Sequence, residues 1–427
     1  MLQMKNIQIS DRDIERIENL FFPNGGTFKD DKDERYNFIK CIDKSIHLQA
    51  CPGSGKTTTL LAKIYLLSEK MPFENNREIC CLTHTNVAID IIKKRLGDKA
   101  DHLFRYPNFF GTIQSFVDRY LAIPAYIKMF GYRPLYIDND YVWFKLNSLS
   151  EEIKKIKWVY LQEKNRIDCL FNIRIKFNNI NNIEDNIIFT DKKGKTLLKD
   201  SKKETFKSIK EIKYDGIFKN GYLTYHDTYS LANIYIDTYK DDLKNLFSSR
   251  FKYVFIDEAQ DTFKNQTDII NALFDEGVVV QWIGDVNQAI FNYDADNGCG
   301  WNPKERERYK VYKITDSKRI SQPIADLIKT VASKPCKELK GTDINIKPTI
   351  ILYNRDNIKI VLEKFVEIIK SHDLIEISKT TGNPIKAVGW RAKEGTALSI
   401  KDYFPGYNKA ASIKRRQHFE NLYTMLY

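Results

Sequence analysis

Residues 46 to 59, Ile-His-Leu-Gln-Ala-Cys-Pro-Gly-Ser-Gly-Lys-Thr-Thr-Thr, have the types and spacing of a loop that holds a polyphosphate. Gly53 and Gly55 let the backbone curl so that successive N–H groups point inward, and a helix starting behind them adds its positive end. Lys56 would reach the β- and γ-phosphates of a nucleotide, and the Thr57 hydroxyl would ligand Mg²⁺. Ala50 stands in the place of the usual first glycine, so the nucleotide-binding set is Ala50, Gly53, Ser54, Gly55, Lys56, Thr57 and Thr58.

Such a loop needs a carboxylate partner. Tyr253 to Ile256 is an apolar run that ends in Asp257-Glu258. Burying charge without a partner is costly, so two acids at the end of an apolar strand point to chemistry. Asp257 would hold Mg²⁺ through its water shell, and Glu258 would orient or deprotonate an attacking water. A further apolar run, Val278 to Ile283, leads to Gly284-Asp285-Val286-Asn287-Gln288, where Gln288 could sense the γ-phosphate or its water. Phe291 and Tyr293, two apart, could present faces on which bases stack.

The elements that must position these residues alternate strand and helix. Ser45 to Ala50 reads as a strand and Thr58 to Ser68 as a buried helix. Ile79 to Leu82 is a second strand, followed by Thr83-His84-Thr85-Asn86 and a helix from Val87 to Leu96. In open parallel sheets ligands bind beyond the carboxyl ends of the strands, so this tetrad lies on the functional edge, although Thr85 or Asn86 could equally cap the helix. Gly111-Thr112-Ile113-Gln114-Ser115-Phe116 has the same small polar character at a helix start. The fold class is α/β: parallel sheets flanked by helices around a phosphate loop. Lys310 to Ile314 is expected to begin a second α/β unit, with strands at Thr349 to Tyr353 and Ile385 to Trp390 and an amphipathic helix across Ile358 to Ile369.

Between these units, residues 124–220 read as an inserted, mostly helical, basic subdomain. Residues 151–220 alone hold 17 Lys and Arg against 11 Asp and Glu, which is half of the formal charge of +12. That charge and a pI near 9.0 favour a polyanionic partner, or an evenly solvated surface. Seven cysteines without a C-x-x-C pair argue against a disulfide framework and fit a reducing cytosol. No apolar run approaches the roughly 18 residues of a membrane span, so no membrane association or secretion signal is expected and the protein is placed in the cytoplasm.

The order of these motifs resembles superfamily-one helicases of the UvrD, Rep and PcrA type. Ala50 to Thr57 is similar to that family's phosphate loop, Leu82 to Asn86 to its Thr-Phe-Thr-Asn motif, and Gly111 to Ser115 to Gly-Thr-Phe-His-Ser. Asp257 to Thr262 is similar to Asp-Glu-Phe-Gln-Asp-Thr, Gly284 to Phe291 to Gly-Asp-x-x-Gln-x-Ile-Tyr, and Lys318 to Ser321 to Tyr-Arg-Ser. The resemblance implies a 3′ to 5′ motor on single-stranded or partly duplex DNA, fuelled by ATP and Mg²⁺, with two RecA-like domains. It assigns 1–123 and 221–300 to the first, 124–220 to the insertion, 301–405 to an incomplete second domain, and 406–427 to the start of a helical segment. Lys56, Thr57, Asp257, Glu258 and Gln288 would then serve ATP, and Arg319 would reach its γ-phosphate from the second domain. His84, Asn86, Thr112, Gln114, Ser115, Phe291 and Tyr293 would line the DNA track.

Departures qualify the match. Arg35 falls near the family's adenine-reading glutamine, Lys318 replaces its adenine-stacking tyrosine, and Asp294 stands where a basic residue is usual. No counterpart of the last two family motifs follows residue 390, which implies either a part of a longer helicase or a reduced one that does not unwind alone. The short length and the Lys- and Asn-rich insertion also resemble the helicase-like subunit of Gabija-type antiphage systems, which implies a nuclease partner of the OLD family.

Overall fold

β1 (Ile46–Ala50), β2 (Glu78–Thr83) and β3 (Phe109–Thr112) are strands whose successive side chains enter opposite cores. Ile79 and Cys81 join one apolar cluster, Cys80 and Leu82 the other, as a period of two requires of a strand covered on both faces. The computed structural model describes residues 7–23, 25–30, 32–84, 97, 103–156, 165–178, 180, 187–289, 300–343, 346–381, 385–389 and 398–407. Thr85, Asn86, the helix expected at 87–96, Phe291, Tyr293, Asp294, Trp390 and residues 408–427 lie outside them.

After β3 the chain enters the insertion, which has its own core around Tyr126, Leu146, Phe189 and Tyr214. It is not only helical. β4 (Tyr136–Ile137) is a short strand, and β5 (Arg174–Phe177), β6 (Ile187–Thr190) and β7 (Thr196–Leu198) form an antiparallel sheet. Ile175 and Phe177 are buried while Lys176 between them is exposed, a strand period that the lysine-rich composition conceals. β8 (Tyr222–Leu223) pairs with β4, and the helix Tyr225–Arg250 then carries the chain back. That helix puts Leu231 and Ile234 into the insertion's core and Ala232, Leu243 and Phe247 into a core of the main sheet. Each buried Leu, Ile or Phe among them contributes about 1.5–3 kcal/mol.

β9 (Phe251–Ile256), β10 (Val279–Gly284) and β11 (Lys310–Ile314) complete a six-stranded parallel sheet in the order β11-β1-β10-β9-β2-β3. Because β10 and β11 flank β1 on opposite sides, the carboxyl end of β1 is a topological switch point, where ligands of open α/β sheets bind.

β11 corrects an expectation. Instead of opening a second unit, it pairs with β1 along its length, from Ile46 opposite Lys310 to Ala50 opposite Ile314. A buried strand needs partners for its backbone on both sides, and β10 satisfies only one. β12 (Asp316–Ser321) and β13 (Lys340–Thr342) form a separate two-stranded ladder.

The chain divides into two units: Met1–Ile320 with Lys329–Thr342, and Ser321–Ile328 with Asp343–Tyr427. In the second, the expected amphipathic helix is present as Val361–Ser371. The expected strands are not: residues 349–353 and 385–389 are irregular. Ile350, Leu352 and Val388 are exposed there, and an apolar run that finds no partner strand among the described residues does not hold strand geometry.

Candidate nucleotide site and strand ends

The residues singled out for phosphate chemistry follow β1, β9, β10 and β11, at one edge of the sheet. Gly53 and Gly55 both take the left-handed conformation, at φ +71° and +79°. A Cβ on Gly53 would lie 2.5 Å from the Arg319 Cβ and 2.6 Å from Ser317 Oγ, so space as well as φ demands glycine. The helix Lys56–Ser68 begins with no side chain capping it, which leaves its first N–H groups for a ligand. The Ser54 hydroxyl is buried without a hydrogen-bond partner. Burial, with Asp285 and Asp316 nearby, pushes the Cys51 thiol up to about 12, so this loop does no thiolate chemistry.

Lys56 is buried, with Nζ 3.5 Å from Glu258 Oε2. Glu258 has φ +51°, a conformation that costs a non-glycine residue energy and that clusters at functional sites. Its own N–H donates to Asp257 Oδ1 at 3.0 Å. Asp257 is fully buried, and burial, then the neighbouring Glu258 charge, raise its pKa to about 7 against the weaker pull of that N–H and Lys56.

Gln260 ties the acids to the next strand end. Its Nε2 donates to Glu258 Oε2 at 2.8 Å, and its Oε1 accepts the Asp285 N–H at 3.0 Å. Gln288 Nε2 in turn donates to Asp285 Oδ2 at 2.9 Å. Burial raises the Asp285 pKa, with the Asn287 N–H, Lys56 and the Gln288 amide opposing it. Sequence reasoning passed over Gln260 and Asp285 as ligand-site members. Their signal was a polar side chain in a run that must be buried, beside a glycine, Gly284, whose Cβ would strike Gln260 Oε1 at 2.7 Å.

A nucleotide and Mg²⁺ fit these residues. Asp257 is a buried carboxylate short of positive charge, and the loop offers uncapped N–H groups, an unpartnered hydroxyl and the Lys56 ammonium. Thr57, half-buried at the start of the helix, and Asp257 are the residues that would hold the metal. Arg319, expected from the second unit, lies in the first, exposed on β12 beside Gly53.

The polar ends of β2 and β3 are built differently. His84 meets Phe263 edge-on at 6.4 Å. Thr112 caps the helix Ile113–Val117 by accepting the Ser115 N–H at 3.0 Å, and the exposed Ser115 hydroxyl donates to Thr112 C=O. Gln114 turns its amide inward, donating to Asp118 Oδ1 at 2.7 Å and Thr228 Oγ1 at 2.9 Å.

Fold and site together define a P-loop NTPase: a parallel sheet with a glycine-rich phosphate loop after β1 and paired acids after β9. More narrowly, the chain belongs to the family of the UvrD/REP helicase N-terminal domain, whose profile matches residues 31–297, more than half of it. It is 25% identical to a probable DNA helicase II homolog of Mycoplasma capricolum subsp. capricolum, over 61% of this chain and 35% of that protein. Gabija protein GajB of Bacillus cereus is 23% identical over 73% of this chain and 53% of its own length. ATP-dependent DNA helicase PcrA of Bacillus subtilis is 25% identical over 75% and 42%. The chain thus spans between about a third and about half of the length of the relatives it matches. Among the described residues no helix is long and apolar enough to cross a membrane.

Proposed function

We propose that this chain hydrolyses ATP to drive movement on single-stranded DNA, in the 3′ to 5′ sense of its family. The observation that carries the reading is the contact of Lys56 with Glu258, joined through Gln260 and Asp285 to Gln288. In this reading the first unit is the ATPase domain, with residues 124–220 as its insertion. The loop N–H groups and Lys56 hold the triphosphate. A γ-phosphate competes with Glu258 for the Lys56 ammonium, which frees the carboxylate to accept a proton from the attacking water. Gln288 orients that water from the end of β10. Bound Mg²⁺ would supply charge neutralisation at the phosphates. Arg319, exposed beside the loop, adds positive charge on the other side.

The test is ATP turnover with and without single-stranded DNA in the unaltered chain and in Lys56→Ala. DNA-stimulated turnover that the substitution abolishes is expected; turnover indifferent to DNA or to Lys56 counts against the proposal.

The likeness to Gabija protein GajB supports a second reading, a helicase-like subunit that senses DNA or nucleotide for a partner nuclease of the OLD family in antiphage defence. Purification from the native host separates the two. A stoichiometric nuclease favours the sensor, and a lone chain with vigorous turnover favours the motor.

A further inference from the structure

Arg35 stands at the start of the helix Glu34–Lys40, only 3% exposed, and spends its guanidinium on protein groups. Nε donates to the Ser54 carbonyl in the phosphate loop at 2.7 Å. One terminal nitrogen donates to Asp30 at 2.7 Å and to Asp316 Oδ2 at 3.0 Å, and the other to the Asp316 carbonyl at 2.7 Å. Lys318 adds its ammonium 2.9 Å from Asp316, so two cations and two carboxylates balance. Beside Arg35, the Glu34 carboxylate takes the Thr315 N–H and hydroxyl. From the other side, the Lys318 N–H donates to the Gly53 carbonyl and the Cys51 N–H to the Ile314 carbonyl.

We infer that Arg35 is a positioning residue for nucleotide binding: it sets the shape of the phosphate loop by clasping it to residues 315–319, and it does not itself touch the phosphates. The peptide group is planar and trans, so its C=O and N–H point in opposite directions. With the Ser54 carbonyl held by Arg35, the Gly55 N–H is directed away from Arg35, a donor that a phosphate oxygen can take. The same clasp holds β12, which carries Arg319, against Gly53. Burial raises the Asp316 carboxyl, but the hydrogen bonds from Arg35 and Lys318 outweigh it and keep the group below the usual carboxylate range, so the clasp stays charged at neutral pH. A guanidinium suits this place because its donors are fixed in a planar fork, one edge on the Ser54 carbonyl and the terminal nitrogens on Asp30 and Asp316.

This inference rests on the nucleotide-site reading, and binding and turnover separate the two. Arg35→Lys keeps the charge between Asp30 and Asp316 but loses the fork, and Asp316→Asn keeps the shape but loses the charge. A fluorescent ATP analogue titrated into each variant gives Kd, and steady-state ATP hydrolysis gives KM and kcat. The expected result is Kd and KM raised about tenfold in Arg35→Lys, the equivalent of one good hydrogen bond, with kcat within about threefold. Asp316→Asn shifts both in the same direction by less, and it carries the test if Arg35→Lys does not fold. Unchanged Kd and KM in a folded variant, even one with a lower melting temperature, overturn the inference and leave the proposed activity standing. Lack of Lys56-dependent turnover in the unaltered chain overturns the activity, and the Kd comparison still decides on Arg35.

Discussion

The two ends of this sheet edge hold their polar residues by different means. Beyond β1, β9 and β10, side chains from distant parts of the chain are bonded to one another, with Lys56, Gln260 and Asp285 buried and Glu258 and Gln288 half-buried. Beyond β2 and β3, Thr112, Ser115 and Gln114 bond within their own turn or to the helix behind it. The difference teaches that the nucleotide end is held together by contacts between side chains far apart in the chain. The other end rests mostly on local turns, with the bond from Gln114 to Thr228 as its tie to a distant helix. Electrostatic stabilisation works best when donors and charges are fixed in advance, so catalytic sensitivity belongs at the first end.

Glu258→Gln breaks that contrast with the largest effect. The amide keeps the length of the side chain and cannot accept a proton, so ATP turnover should fall about 10²- to 10⁴-fold. Nucleotide affinity should hold or rise, because the carboxylate no longer competes for Lys56. A matching loss in Kd would mean that Glu258 shapes the site instead of acting on water. No substitution at Thr112, Ser115 or Gln114 should approach this effect on turnover measured without DNA.

Asp257 sharpens the contrast through pH. Its pKa rises from 3.8 unfolded to about 7 folded, chiefly through burial, so the folded chain binds the extra proton between those values. The stability it contributes is fully present below pH 4 and is lost as the pH rises through 7. In metal-free solution Asp257→Asn should therefore match the unaltered chain near pH 4. At pH 8 it should be more stable, on the order of 2–4 kcal/mol by denaturant titration. A flat difference across that range would mean that the carboxylate is charged and well paired without metal.

What was legible in the sequence follows the same division. The strands ahead of the phosphate loop and of the acid pair, and the helix behind the loop, are local patterns, and each starts within two residues of where the pattern puts it. Strand partnership is not local: nothing in Lys310–Ile314 says that its neighbour is β1. Nor could Arg35 be assigned, since it meets Asp316 across 281 positions. Thr349–Tyr353 shows the reverse failure, an apolar run that reads as a strand but finds no ladder among the described residues. The family resemblance puts Gln114 on the DNA track; Asp118, four positions on, is a local partner for its amide, but only the fold brings Thr228 within its reach.

Gln114→Ala gives the smallest effect and tests the local end directly. Burial raises the Asp118 pKa to about 6, and the bonds from Gln114 and Thr228 oppose that rise. Because the folded value lies above the unfolded one, the associated stability is present below about pH 4 and lost as the pH passes through 6. Removing the Gln114 amide deepens that loss by leaving the charged carboxylate with one donor fewer. Gln114→Ala should thus cost about 1 kcal/mol at pH 8 and nearly nothing at pH 4, as read from denaturant midpoints. Affinity for single-stranded DNA at fixed salt should fall by less than about threefold, since an amide already committed to Asp118 has little to offer a base. A tenfold loss with no change in stability would mean that the amide leaves Asp118 for DNA. The strand ends of β2 and β3 would then be a latent binding surface, set by the same exchange of partners as Lys56 and Glu258.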